Sequence, residues 1–139
     1  MPSNQKIVWL NGTFDVLHAG HIKLFRHARK LAGPAGRVVV GTDSDERIRE
    51  LKGPTRPINN VFDRVDFLNA IKYIDCVVTF SSADELEARI KQFSPDILLI
   101  GNGYVDKPIV GAQYAKEIVY YPRYGELSST MILNTYNKQ

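Results

Sequence analysis

Residues 6–10, 37–40, 75–80, 96–100 and 117–121 are short apolar or β-branched runs, separated by turn residues and by stretches with helical spacing. Most of these runs are continuously apolar instead of alternating, which predicts strands covered on both faces of a parallel sheet. Between the first two, residues 20–32 carry Ile22, Leu24, Phe25, Ala28 and Leu31 at helical intervals, and Gly33-Pro34-Ala35-Gly36 stops the pattern. The turn Gly41-Thr42-Asp43-Ser44 leads into a short helix over residues 45–51. Two prolines and a glycine make residues 52–57 a loop. A helix over 61–71 follows, with Val61, Val65, Leu68 and Ile71 on one face. The next spans 85–93, capped by Ser82 or Asp84, and Ser128 or Ser129 caps a last helix through Thr135.

This strand–helix alternation predicts one α/β domain over residues 1–139: a doubly wound, Rossmann-like fold with a five-stranded parallel sheet and helices on both faces. Such sheets bind ligands beyond the carboxyl ends of their strands, near the point where strand order reverses. Residues 13–21, 43, 101–104 and 123–129 all follow predicted strand ends, so polar and glycine-bearing segments collect at one rim.

Composition narrows the function. A chain of 139 residues fits a single core, and 44% apolar with 24% charged residues is ordinary for a soluble protein. A net charge of +3, with no basic run interleaved with aromatics, argues against a nucleic-acid partner. Cys76 is the single cysteine, so no internal disulfide is possible. Its place in the apolar run 74–78 predicts a buried small hydrophobe, not a catalytic thiol. No run approaches the roughly 18 apolar residues of a membrane span, and residues 1–5 lack a signal-peptide pattern. The expectation is a cytoplasmic protein with no membrane partner.

The densest chemistry is His18-Ala19-Gly20-His21, two imidazoles at the mouth of the first helix, just after the first strand and the turn Asn11-Gly12-Thr13. A helix N-terminus offers unpaired N–H groups and partial positive charge to an anion. Imidazoles add hydrogen-bond donors that can carry charge near neutral pH. Gly12 and Gly20 are expected to let backbone approach a phosphate closely, and Thr13 to offer an N–H or hydroxyl to it. Near the C-terminus, Arg123 supplies a planar fork for phosphates, and Ser128, Ser129 and Thr130 supply hydroxyls at a helix start. A two-histidine metal site is disfavoured because the glutamate of a metalloprotease helix is missing; Mg²⁺ carried on nucleotide phosphates fits better. No G-x-G-x-x-G follows the first strand, which argues against a dinucleotide-dependent oxidoreductase.

Residues 12–21, Gly-Thr-Phe-Asp-Val-Leu-His-Ala-Gly-His, together with Pro122-Arg123-Tyr124-Gly125-Glu126-Leu127-Ser128-Ser129-Thr130, resemble the two signatures of the HxGH nucleotidyltransferases, and more narrowly their cytidylyltransferase-like branch. The resemblance covers nearly the whole chain. It implies attack by an acceptor phosphate on the α-phosphate of an NTP, CTP or ATP, with release of pyrophosphate and with Mg²⁺. It implies His18, His21, Lys52 and Arg123 as catalytic groups. Gly12, Thr13, Phe14, Gly20, Gly101, Asn102, Ser128, Ser129 and Thr130 are implied around the nucleotide. Asp15, Arg56 and Arg64 are implied on the acceptor side or behind it, with Arg64 also near the contact of a homodimer. Gly12 to Asp15, His21 to Leu24 and Pro122-Arg123 look like glycerol-3-phosphate cytidylyltransferases. Lys52-Gly53, Arg56 to Asn59 and Ile109 to Ala112 look like heptose-phosphate adenylyltransferases. The nucleotide-facing ends favour CTP with a phosphorylated polyol such as glycerol 3-phosphate; the alternative is ATP with a sugar 1-phosphate such as heptose 1-phosphate. The reading from another class, a non-catalytic nucleotide-binding regulatory domain, is opposed by the intact set of His18, His21, Lys52 and Arg123.

Overall fold

The computed structural model describes residues 5–101 and 108–121. Its strands are β1 (Ile7–Gly12), β2 (Arg37–Asp43), β3 (Cys76–Phe80), β4 (Ile97–Gly101) and β5 (Glu117–Tyr121). Its helices are α1 (Ala19–Ala32), α2 (Asp45–Lys52), α3 (Val61–Asn69) and α4 (Ala83–Phe93), and a 3-10 turn spans Ala112–Tyr114. The sheet is entirely parallel, in the order β3-β2-β1-β4-β5. The chain therefore winds outward from β1 to β3 on one side, returns past β1, and continues through β4 and β5 on the other. The order reverses between β1 and β4, whose carboxyl ends are Gly12 and Gly101.

Alternate residues of the central strands serve two separate cores, as the two-residue period of a strand requires. Val8, Leu10, Val38, Val40, Ile97 and Leu99 face α1 and α3, packing with Phe25, Ala28 and Leu68. Trp9, Val39 and Leu98 face the other way, onto Leu86 and Ile90 of α4. Cys76 is partly buried against this second core. Gly41 keeps the second core closed: a Cβ there would lie 2.8 Å from the Trp9 ring.

The helix starts follow side-chain caps. Ser44, Asn60 and Ser82 each accept a backbone N–H from the first turn of α2, α3 and α4. This settles the α4 cap as Ser82. Strands β1 and β2 run two and three residues further than their apolar runs, because Asn11-Gly12 and Gly41 to Asp43 continue the pairing into the rim. The last predicted helix and the segment 102–107 lie outside the described residues. Among the described residues no helix is long and apolar enough to cross a membrane.

Candidate active site at the carboxyl rim

Helix α1 begins one residue earlier than its periodicity predicts, and its N-cap is His18. Serine, threonine, aspartate and asparagine usually hold this position, because a short side chain must accept an N–H of the first turn. Here the His18 Nδ1 accepts from Gly20 N at 3.1 Å, and the His21 Nδ1 accepts from His18 N at 3.1 Å. The motif is thus a capping box in which two imidazoles replace the usual hydroxyl and carboxamide or carboxylate. One consequence is chemical. With Nδ1 accepting on both rings, the proton of each neutral ring resides on Nε2, so both are held as one tautomer. The ring centroids lie 4.0 Å apart. Gly20 is required for a reason other than phosphate approach: a Cβ on it would come within 2.8 Å of the His18 ring.

Gly12 has a similar constraint. A Cβ there would lie 3.1 Å from the tip of the Phe14 ring. Phe14 itself is 6% exposed, and its ring meets His21 at 5.6 Å and Phe25 at 5.2 Å, both edge to face. Its side chain therefore lies beneath the histidines. Gly101 ends β4 at the strand-order switch, and a Cβ on it would meet no atom of the described residues within 4 Å.

Asp15, Arg56 and Arg64, expected on the acceptor side or behind it, form one buried network behind the histidine loop. Asp15 is 1% exposed. Its carboxylate accepts from Arg56 Nε at 2.9 Å and from the backbone N–H groups of Ile58 and Asn59 at 2.8 Å each, while the Asn59 amide donates back to the Asp15 carbonyl. It is a rivet between the histidine loop and the segment after α2. Arg56 is buried against it. Arg64, expected on the acceptor side or behind it and near the contact of a homodimer, is fully buried. Its Nη1 donates to the carbonyls of Thr13 and Asp43 and to Thr42 Oγ1, its Nε to the Asn59 carbonyl, and its Nη2 to Asp45. One guanidinium thus ties together the ends of β1 and β2, the start of α2 and the loop before α3. A buried charge is tolerated when this many acceptors replace its water.

The sequence offered a signal for this role. Val61, Arg64, Val65 and Leu68 share one helical face, so Arg64 sits in the middle of an apolar stripe. Asp43, beside it on the rim, is buried as well, and burial pushes its carboxyl above the ordinary value despite the neighbouring Arg47. Thr13 takes part through its carbonyl, which also accepts from Thr42 Oγ1 at 2.9 Å. Lys52 is the exposed last residue of α2, not a loop residue, and Gly53 follows it in a left-handed conformation. Arg123, Asn102, Ser128, Ser129 and Thr130 lie outside the described residues.

The two imidazoles at a helix start, on the first strand of a doubly wound sheet, meet a matching family profile. The model of the family described as cytidylyltransferase-like matches residues 9–135. The chain belongs to the cytidylyltransferase-like family. The bifunctional protein HldE of Campylobacter fetus is similar, with 38% identity over 95% of this chain and 28% of that protein. HldE of Hyphomonas neptunium is 41% identical over 92% of this chain and 26% of its own length. The chain thus spans about a quarter of the curated relatives it matches. Among solved structures, the lipopolysaccharide core biosynthesis protein of Thermoplasma volcanium has the same fold. Its TM-score is 0.71 at 23% identity, over 86% of this chain and 98% of that one. Membership of the cytidylyltransferase-like family places the chain in the nucleotidyltransferase class of enzymes.

Mg²⁺ prefers oxygen ligands. Among the described residues no group of three or more His, Cys, Asp or Glu side chains could enclose a metal ion. The Asp15 carboxylate is already taken up by three donors. The described side chains of this cytidylyltransferase-like rim therefore do not form an oxygen cage.

Proposed function

We propose that this chain transfers AMP from ATP to the phosphate of a sugar 1-phosphate, of the heptose 1-phosphate type. The acceptor's phosphate oxygen forms the new bond to the α-phosphorus, the bond from that phosphorus to its bridging oxygen breaks, and pyrophosphate leaves. The observation that carries the transfer reaction is the imidazole capping box at the carboxyl end of β1. It presents two Nε2–H donors at a helix start, where negative charge on a leaving pyrophosphate needs stabilising. An ionised phosphate acceptor needs no general base. Lys52, exposed at the end of α2, is assigned to neutralising phosphate charge, together with Arg123. Asn102, Ser128, Ser129 and Thr130 are assigned to the nucleotide. Mg²⁺ would enter on the phosphates of the nucleotide.

The choice of substrates turns on the relatives. The expectation of CTP and glycerol 3-phosphate rested on the nucleotide-facing segments Gly12 to Asp15, His21 to Leu24 and Pro122-Arg123. The curated relatives are HldE proteins, on the heptose-phosphate adenylyltransferase side of the family, at 38% and 41% identity. Lys52-Gly53, Arg56 to Asn59 and Ile109 to Ala112 point the same way. This supports ATP over CTP. Pyrophosphate release is the test, with ATP and CTP each paired with heptose 1-phosphate and with glycerol 3-phosphate. Release with ATP and the heptose alone is expected. Release only with CTP and glycerol 3-phosphate would reverse the assignment.

A further inference from the structure

We infer that Phe14 is a positioning residue: its backbone is held in a left-handed conformation so that its ring fixes the orientation of the His21 imidazole. Phe14 has φ of +48°, a region that a bulky side chain rarely occupies. Such a conformation persists where the surroundings over-determine it, and here both neighbours are pinned. The Thr13 carbonyl is held by Thr42 Oγ1 and Arg64 Nη1. The Asp15 carboxylate is held by Arg56, Ile58 and Asn59. With the residue on each side fixed, the Phe14 side chain turns inward, under Gly12 and against His21 and Phe25.

The result is a row of three rings closed by a glycine at each end. Gly12 abuts the tip of Phe14; Phe14 meets His21 at 80° between ring planes; His21 lies 4.0 Å from His18; His18 folds over Gly20. The backbone N–H of His18 holds Nδ1 of His21, and the Phe14 ring packs edge to face against the imidazole at 5.6 Å. Together these contacts set the line along which Nε2–H points. The buried Arg64 and Asp15 network thereby acts on the histidine through Phe14.

This inference rests on the reading of His21 as the group that stabilises the leaving phosphate, so His21→Ala is measured in parallel. The main test is Phe14→Leu, which keeps an apolar side chain but loses the aromatic ring. Two readouts apply: steady-state pyrophosphate release, and the His21 ring resonances by NMR. Phe14→Leu is expected to lower kcat on the order of 10- to 100-fold, as for a small misplacement of a reacting group. KM for ATP is expected to stay within roughly twofold, since ground-state binding is untouched. The His21 resonances shift as the ring current is lost.

Gly12→Ala tests the same contact with Phe14 intact, and carries the test if Phe14→Leu does not fold. Its methyl pushes on the ring tip, so kcat and the His21 resonances move as well. Adding Phe14→Leu to Gly12→Ala gives less than the product of the two single losses, because the smaller side chain makes room for the methyl. An unchanged kcat, or a lowered kcat with unmoved His21 resonances, overturns the inference. Full turnover by His21→Ala overturns the histidine reading instead.

Discussion

At the amino-terminal edge of the sheet, Asp75 and Asp96 repeat one device. Each precedes a strand, donates its N–H to the carbonyl of a neighbouring strand residue, and accepts back with its carboxylate. Asp75 pairs in this way with Val38, and Asp96 with Ile7. At the carboxyl rim the acids serve differently. Asp15 binds one loop to another, and Asp43 is buried next to the Arg64 hub. The contrast extends to protonation. The Ile7 N–H holds the Asp96 carboxyl below its ordinary range, whereas burial raises that of Asp43. Carboxylates at one edge stabilise the start of the strands. At the other edge, groups that are costly to bury hold the loops around the histidines in one arrangement.

Removing the hub should break the rim most severely. Arg64→Met removes the guanidinium donor from Asp45, Thr42 and the carbonyls of Thr13, Asp43 and Asn59, and is expected to cost about 3–5 kcal/mol of stability, read from urea midpoints. Asp96→Ala tests the opposite edge. Losing a hydrogen bond to a charged group costs about 1.5–3 kcal/mol. The exposed Lys116 partner adds little to that. Turnover of Asp96→Ala should equal wild type, because the edge is remote from the rim; a drop in kcat would break the division between the two ends.

The smallest effect is in pH dependence, and the two edges have opposite signs. Asp96 is held below its ordinary value of 3.8. Its contribution is therefore present above about pH 4 and lost as pH falls below it. Asp43 is raised above the same value, so its burial penalty is relieved as pH falls toward 4. In urea titrations across this range, Asp43→Asn should steepen the acid loss of stability, and Asp96→Ala should flatten it below pH 4.

The same two regions differ in how far they could be read from sequence. Both layers of the core were legible, because Val8 to Leu10, Val38 to Val40 and Ile97 to Leu99 are continuous apolar runs whose local spacing carries the information. His18 and His21 were legible as a pair, but their mutual capping was not, since it depends on the turn that His18 makes at the start of α1. The roles of Asp15 and Arg56 depend on partners 41 to 44 residues apart, and Arg64 gathers acceptors from 5 to 51 residues away. A charged residue with a distant partner reads as a surface charge. Phe14 was placed around the nucleotide by the family resemblance, and no local pattern reveals a left-handed φ at a non-glycine residue.

The measurement that bears most directly on the central claim is ATP-dependent pyrophosphate release by His21→Ala, with its thermal midpoint taken on the same preparation. The paired imidazoles predict a loss on the order of 100-fold or more in kcat, with a midpoint lowered only by the loss of a helix-capping group, about 1 kcal/mol. Wild-type release by a folded His21→Ala protein would contradict the account.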